Sequence, residues 1–365
     1  MRILHVVPTY LPATRYGGPI ASVHGLCRAL AARGHDVHVF TTNVDGEGTS
    51  DVPLGTAVLL QKVNVHYFAS HFPRLYYSPA MKRALRDAGK FDVIHLHSVF
   101  LWPTYAAARA AEKAEIPYIV SPRGMLVPEL IARKSRTVKN LWIRLFEQHT
   151  LWHSSIVHFT SQQEREDARR TGVCIPGAVI IPNGVELSLE RCTERGNDLL
   201  FLGRINWKKG LDRLMEAMRL LPEARLTVAG NDEENYRTTL PELDNVRFVG
   251  PVSGEAKQEL LRRAAALVLP SYNENFGNSV LEAMAVGTPV VVTPEVGLAA
   301  EVERSGAGIV TPNEPAQLAT ALRALLADPQ RRAAMGRGGR AAVEARYSWE
   351  RIAVQMEEVY ARFAL

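Results

Sequence analysis

The chain has 365 residues, 47% hydrophobic and 22% charged, with three cysteines and a net charge of +5. That length exceeds what one core ordinarily supports, so two domains are expected. The composition excludes a disordered chain, and no apolar run is long enough to span a bilayer.

Cys27, Cys174 and Cys192 have no CxxC or Cys/His spacing, so they are read as core or incidental thiols of a reducing compartment. The charge is uneven. Residues 1–183 carry 21 Lys/Arg against 13 Asp/Glu, a net +8, whereas residues 184–365 carry 22 against 25, a net −3. The basic half either meets an anionic surface or substrate or is simply a solubilising face.

The opening Met1-Arg2-Ile3-Leu4-His5-Val6-Val7 is interrupted by Pro8. It is too short for a signal peptide and is expected to be the first strand of a mature cytoplasmic protein. Short β-branched runs then alternate with longer amphipathic ones, the pattern of βαβ units. In the first half, strands are expected at 3–7, 37–41, 65–69, 93–96, 118–121, 156–159 and 179–181, with helices at 21–33, 79–88, 103–115 and 162–171. This is one doubly wound domain, residues 1–184. A turn at Pro182-Asn183-Gly184 and a polar stretch without periodicity make 185–198 an interdomain linker. A second alternating series follows, residues 199–346. Its strands are expected at 199–202, 225–229, 246–249, 266–269, 290–292 and 308–310, and its helices at 211–221, 255–263, 279–286, 299–304, 316–326 and 331–346. A final helix, 347–365, has no strand after it. Two α/β domains on a hinge imply a cleft, with ligands outside the carboxyl ends of the strands.

Several loops of the first half follow strands. Arg15-Tyr16-Gly17-Gly18-Pro19 holds adjacent glycines, which permit positive φ and close backbone approach. It either closes over a phosphate at the next helix or is a tight turn. His95 and His97, two apart, place both imidazoles on one side of an extended chain. With no third ligand apparent they are read as core or sugar-contacting histidines, and no metal site is expected. Ser121-Pro122-Arg123-Gly124 puts Arg123 at the end of another strand. Beyond it, residues 129–151 interleave Arg133, Lys134, Arg136, Lys139 and Arg144 with Leu130, Ile131, Leu141, Trp142, Leu145 and Phe146. Such a segment either docks on an anionic bilayer or lipid-linked substrate, or is an ordinary core face with wet charges.

In the second half, a strand ends in Gly203-Arg204, and Lys209 follows five residues on. A planar guanidinium and a compact ammonium suit a diphosphate leaving group. Further along, a strand-like run empties into Ser271-Tyr272-Asn273-Glu274-Asn275-Phe276-Gly277-Asn278, and a helix carrying Glu282 follows. A helix start offers unpaired backbone N–H groups and the positive end of a dipole to an anion. Glu274 before that helix and Glu282 about a turn and a half within it could face one ligand. A sugar nucleotide, with a central diphosphate and hydroxyl-bearing sugars, suits this layout. There is no Asp-x-Asp metal motif and no Walker A sequence. Gly336-Arg337-Gly338-Gly339 follows no strand and completes no GxGxxG, which speaks against hydride transfer.

Together these motifs resemble the family-4 retaining glycosyltransferases of GT-B fold over nearly the whole chain. The resemblance rests on Gly17-Gly18, Arg33-Gly34-His35-Asp36-Val37, Ile181-Pro182-Asn183-Gly184-Val185, Gly203-Arg204 with Lys209-Gly210, and above all Glu274-x-Phe276-Gly277 with Glu282-Ala283-Met284-Ala285 and Gly287-Thr288-Pro289-Val290. It implies two Rossmann-like domains with an interdomain cleft and C-terminal helices returning to the first domain. The first domain would take the acceptor and the second the donor. Glu274 would then contact the transferred sugar and Glu282 the ribose. Arg204 and Lys209 would hold the diphosphate, assisted by the turn Asn275, Phe276, Gly277 and Asn278 and by Gly17 and Gly18. The nucleobase would lie against Asn231 and Val252. Many relatives place a histidine near Arg123; the sequence here is similar to a bacterial subgroup that builds surface polysaccharide, with Arg123 and His97 as candidates beside the reacting sugar.

The resemblance therefore implies transfer of a hexose from a UDP- or GDP-sugar to a glycan acceptor, a lipid-linked polysaccharide precursor, without cofactor or metal. The cysteines and the opening strand point to a cytoplasmic protein, and the first of the two readings of residues 129–151 would seat it peripherally on the inner face of the plasma membrane with an anionic surface as a partner; no nucleic acid is expected as a partner. The alternatives are a GT-B-shaped sugar-nucleotide epimerase or hydrolase, which would consume donor without acceptor, and a non-catalytic glycan- or membrane-binding module, which would be expected to lose Arg204, Lys209, Glu274 and Glu282.

Overall fold

The computed structural model describes residues 1–13, 17–133, 141–187, 195–233 and 235–364. Arg15, Tyr16, Lys134, Arg136, Lys139 and Cys192 lie outside the described residues. The chain divides into two compact units, Met1–Gly184 together with Trp349–Leu365, and Val185–Ser348.

The first unit contains β1 Arg2–Val6, β2 Asp36–Thr42, β3 Val44–Asp45, β4 Gly48–Thr49, β5 Ala57–Leu60, β6 Val63–Phe68, β7 Val93–His97, β8 Tyr118–Ser121, β9 Ile156–Phe159 and β10 Ala178–Ile180. Its eight-stranded sheet runs β10-β9-β8-β7-β1-β2-β6-β5. All neighbours are parallel except β5 on β6. Alternate residues of the central strands feed two cores. Leu4, Val6, Ile94 and Leu96 pack with Ala107, Ala108 and Ala111 of the helix Trp102–Lys113. Ile3, Val39, Val93 and Ile119 pack with the helix Gly18–Ala32 and with Ile352, Met356 and Tyr360 of the helix Trp349–Ala361. A sheet covered on both faces has apolar residues on both, which is why its strands read as near-continuous hydrophobic runs. Trp349 anchors the returning helix: a Cβ at Gly25 or at Gly184 would collide with its indole.

Three elements differ from the sequence reading. The hairpin β3–β4 and the edge strand β5 were not expected. They are two to four residues long, and β5 alternates exposed and half-buried positions with Leu59 in solvent, so its apolar content marks no buried stripe. The first helix begins at Gly18, before the expected 21, because Pro19 is already set for a helical first turn.

The second unit holds β11 Leu199–Leu202, β12 Leu226–Ala229, β13 Val246–Gly250, β14 Ala266–Leu269, β15 Val290–Val292 and β16 Gly308–Val310. The sheet is wholly parallel and runs β13-β12-β11-β14-β15-β16. The strand order reverses between β11 and β14, the topological switch point where ligands bind in such sheets. Arg195, in the expected linker, belongs to this unit: its guanidinium donates to the carbonyls of Arg262 and Val286, at 2.9 and 2.8 Å, and to Thr288.

Gly336, Gly338 and Gly339 sit inside the helix Pro329–Arg346. A Cβ on Gly336 would strike the carbonyl oxygen of Gly287, and one on Gly338 that of Ser305. The glycines let a helix lie against neighbouring backbone.

Candidate functional site

In the second unit the loops after β11, β12, β13 and β14 leave the sheet at its carboxyl edge, and they carry the residues expected to bind donor. After β11, Arg204 donates to Glu233 at 2.7 Å and Asn206 donates to the other oxygen of the same carboxylate at 2.6 Å. Glu233 lies in the loop after β12 and its own N–H returns to the carbonyl of Ile205 at 3.0 Å. Asn231 joins this contact, its carbonyl accepting from Ile205 at 2.8 Å. Val252, after β13, is half-buried against the core of the unit.

Lys209 forms an ion pair with Glu274, the two side chains being only 15% and 16% exposed. Burial alone would raise the Glu274 carboxyl. Lys209, with Lys208 and Arg204 beyond it, outweighs that and holds the group below the ordinary carboxylate range. Gly210 then turns the chain at φ 65°, where a Cβ would collide with the Pro270 carbonyl. The Lys209 loop and the Glu274 loop are therefore in backbone contact, and the N–H of Tyr272 also donates to Lys208 O at 2.8 Å.

Glu274 is fixed by its own backbone as well, its N–H donating to Glu295 O at 3.0 Å and its carbonyl accepting from Gly297 at 2.8 Å. Gly277, at φ 100°, is the N-cap of the helix Asn278–Ala285. Phe276 is buried in the core, so only its backbone is available to a ligand. The half-buried positions of that helix are Asn278, Ser279 and Glu282, which share one face. Lys257, from the helix Gly254–Arg263, donates to Glu282 at 2.8 Å. Asn275 and Asn278 bracket the cap. Each expected acid or cation thus has a partner of opposite charge, two of them, Glu233 and Lys257, unforeseen. Glu233 stands among acidic residues of a loop, where its sequence marks out no role, and Lys257 sits in an amphipathic helix where its charge looks like any wet one.

In the first unit the strand order reverses between β1 and β7. His97 at the end of β7 lies below Arg123, which follows β8. Arg123 donates from Nε and Nη2 to His97 Nδ1 at 3.3 and 3.2 Å, and from Nη1 to Asn183 Oδ1 at 2.9 Å. The third imidazole missing from the sequence reading is present: His5 of β1 lies within coordination reach of His95 and His97. Its ring nitrogen Nδ1 is 2.9 Å from His97 Nε2. With Nδ1 of His97 accepting from Arg123, its proton sits on Nε2 and is donated to His5. His95 lies 2.7 Å from both Tyr360 Oη and Ser121 Oγ, Ser121 lies 2.8 Å from His158 Nδ1, and His158 Nε2 lies 2.8 Å from Ile181 O. The carbonyl at the end of this chain can only accept and burial keeps both rings neutral, so donation runs one way from Tyr360 to Ile181. Both nitrogens of His95 and His97 are engaged within this buried network, and His5 Nε2 has no partner among the described residues.

Two buried carboxylates pin the loops above it. Glu147 accepts from the N–H of Phe100 at 2.8 Å and from Trp142 Nε1 at 3.2 Å. Glu164 accepts from the N–H groups of Gly124 and Thr160, both at 2.7 Å, and from Thr160 Oγ at 2.8 Å. The loops so held contain Ser98, Phe100 and Arg123 at φ 80°, 65° and 55°, and non-glycine residues in that region cluster at working sites. Gly17, at φ 70°, immediately precedes the helix Gly18–Ala32, and Gly18 is its first residue. The described part of 129–151 divides between its two readings. Ile131 and Leu151 are core, Trp142 and Phe146 pack on Tyr105, and Leu141, Leu145 and Trp152 are exposed.

Residues 17–184 match the Glycosyl transferase 4-like domain and residues 190–342 match Glycosyl transferases group 1. A D-inositol 3-phosphate glycosyltransferase of Xylanimonas cellulosilytica is 30% identical over 403 residues, covering 99% of this chain and 96% of the relative. The phosphatidyl-myo-inositol mannosyltransferase of Mycobacterium leprae is 30% identical over 372 residues, covering 94% and 92%. The Anabaena protein HepE, solved in complex with UDP-glucose, shares the fold with a TM-score of 0.76 at 21% identity, covering 99% of this chain and all of that one. The two parallel-sheet α/β units are those of the GT-B class, and the chain belongs to the family-4 glycosyltransferases.

Proposed function

We propose that this glycosyltransferase moves a hexose from a UDP- or GDP-sugar to a lipid-linked glycan acceptor, with retention of configuration and without a metal ion. The observation that carries the donor side is the half-buried Lys209–Glu274 ion pair at the switch point of the second unit, with Arg204 on the same loop as Lys209. Residues 199–346 are the donor domain in this reading and residues 1–184 the acceptor domain. Arg204 and Lys209 meet the diphosphate with the backbone of Asn275, Phe276, Gly277 and Asn278 and of the Gly17–Gly18 loop. Glu282 takes the ribose hydroxyls, and Asn231 and Val252 border the base. The bond from the anomeric carbon to the diphosphate oxygen breaks, the acceptor oxygen bonds to the same face of that carbon, and the acceptor proton passes to a phosphate oxygen of the departing diphosphate. Charge that accumulates on the diphosphate is met by cations already in place, which is what lowers the barrier. Glu274, ionised and paired, serves as an electrostatic and positioning group near the sugar, and Arg123 and His97 act on the acceptor side.

HepE is solved with UDP-glucose, and the names of two relatives pair sugar transfer with inositol phosphate and with phosphatidyl-myo-inositol. These favour a nucleotide-sugar donor and a phosphorylated or lipid-borne acceptor. Exposed Leu141, Leu145 and Trp152 beside Arg144, in the basic half, favour a peripheral seat on the cytoplasmic face of an anionic membrane.

A thermal-shift panel of UDP, GDP and their sugars tests the donor assignment. A ligand that binds only the native state at 100 times its Kd stabilises by about 2.7 kcal/mol. One of the two nucleotides is expected to raise the melting temperature of the wild type and not of Lys209→Ala, which also loses transfer. No shift with any of them, or full activity in that variant, overturns the reading.

A further inference from the structure

We infer that Arg123 is the binding site for a phosphate group carried by the acceptor, separate from the cations proposed to hold the donor. The inference rests on the reading of the first unit as the acceptor domain. All of its hydrogen-bond partners among the described residues are neutral: His97, which must be the uncharged Nε2–H tautomer to accept at Nδ1, and the amide oxygen of Asn183. His97 is kept neutral by burial, and by His95 and Arg123 beside it. Glu164 acts on Arg123 through space, but its oxygens are taken by Gly124 and Thr160.

A guanidinium has five N–H donors in a fixed fork. Three are used in orienting it, and two remain without a partner among the described residues. A structural arginine is ordinarily matched to a carboxylate, as Arg33 is to Glu357. Arg123 is instead aimed by neutral groups, which fix its direction without cancelling its charge. Its backbone is held at φ 55° by Glu164 on the next residue, so the fork is set before any ligand arrives. It stands at the carboxyl edge of β8, one strand from the switch point between β7 and β1. A planar, pre-aimed fork with two open N–H donors and no carboxylate bonded to it selects a phosphate, which it engages through two parallel hydrogen bonds. The donor diphosphate is provided for by Arg204 and Lys209, so the second anion belongs to the acceptor.

The test is a titration of the full chain with inorganic phosphate while UDP or GDP, whichever of the two the thermal-shift panel shows to bind, saturates the donor site, read by calorimetry. Hydrogen bonds to a charged group contribute about 1.5–3 kcal/mol, so Arg123→Gln is expected to weaken phosphate about 10- to 100-fold. Arg123→Lys, which keeps the charge and loses the fork, should fall between. Binding of that nucleotide in the same variants certifies their folding and tests the donor reading independently. Equal phosphate affinity in wild type and Arg123→Gln overturns the inference, as does phosphate binding that disappears once the nucleotide is present, because the site would then serve the donor.

Discussion

Four histidines that never meet solvent give the first unit an acid limit. Burial, with Arg123 adding to it, brings His5 and His158 down to about 3, and His95 and His97 also lie well below the ordinary 6.5. The unfolded chain therefore binds more protons than the native one between about 3 and 6.5. The stability these rings contribute is whole above 6.5 and is lost as pH falls through that window. Glu147 works the other way: burial raises it to about 7, so between 4.5 and 7 the native state holds up to one proton that the unfolded chain has released. Four rings outweigh one carboxyl. Urea unfolding followed from pH 6 to 4.5 should lose stability faster than about 1.4 kcal/mol per pH unit, the slope for one net proton; a flat profile would contradict the neutral network. At this scale the sequence was partly legible. His95 and His97 could be placed on one side of a strand by their spacing, but His5 joins them only through the pairing of β1 with β7, a contact across 92 residues. Glu274 and Lys209 stand out in the sequence as candidates. Their pairing with each other does not, because it depends on the Gly210 turn lying against Pro270.

Among the elements, the helix Pro329–Arg346 shows where a local rule reverses. Alanine in place of glycine inside a helix ordinarily gains about 1 kcal/mol. Gly336 should do the opposite, since its Cβ would meet the Gly287 carbonyl, a backbone group that no rotamer change can move aside. Overpacking of this kind costs typically 1–3 kcal/mol. Gly336→Ala is therefore expected to lower the unfolding free energy by about 2 kcal/mol in denaturant titration, and a gain would show that the helix is not seated as described. The strands of both sheets were readable because burial on two faces leaves unbroken β-branched runs, whereas β5, with one face in water, carried too little contrast to be found. The glycines of this helix were readable only as not being a nucleotide fingerprint. What they do instead follows from tertiary contact, on which spacing is silent.

Over the whole molecule, the +8 of residues 1–183 against the −3 of residues 184–365 is a property of the sequence alone. A basic half by itself would give only weak, diffuse attraction to an anionic surface, and apolar side chains in water would by themselves be ordinary. The first unit joins the two: Leu141, Leu145 and Trp152 are exposed along one helical run with Arg144 among them, next to a segment whose Arg136 and Lys139 add charge in the sequence. Among the described residues no helix is long and apolar enough to cross a membrane, so any hold on a bilayer would be interfacial, from inserted side chains plus electrostatic attraction. The electrostatic part must weaken when salt shortens the screening length from about 30 Å at 0.01 M to about 3 Å at 1 M. The protein is expected to float with vesicles containing anionic lipid at low salt, to be released at high salt, and to stay behind with neutral vesicles. Leu141→Ser combined with Leu145→Ser should reduce flotation at low salt, since the apolar anchors are gone while the charge remains. Arg123→Gln should float as the wild type does, because its guanidinium is turned inward onto His97 and Asn183. Failure to float at either salt concentration would remove the membrane from the proposal while leaving the donor site and its nucleotide untouched.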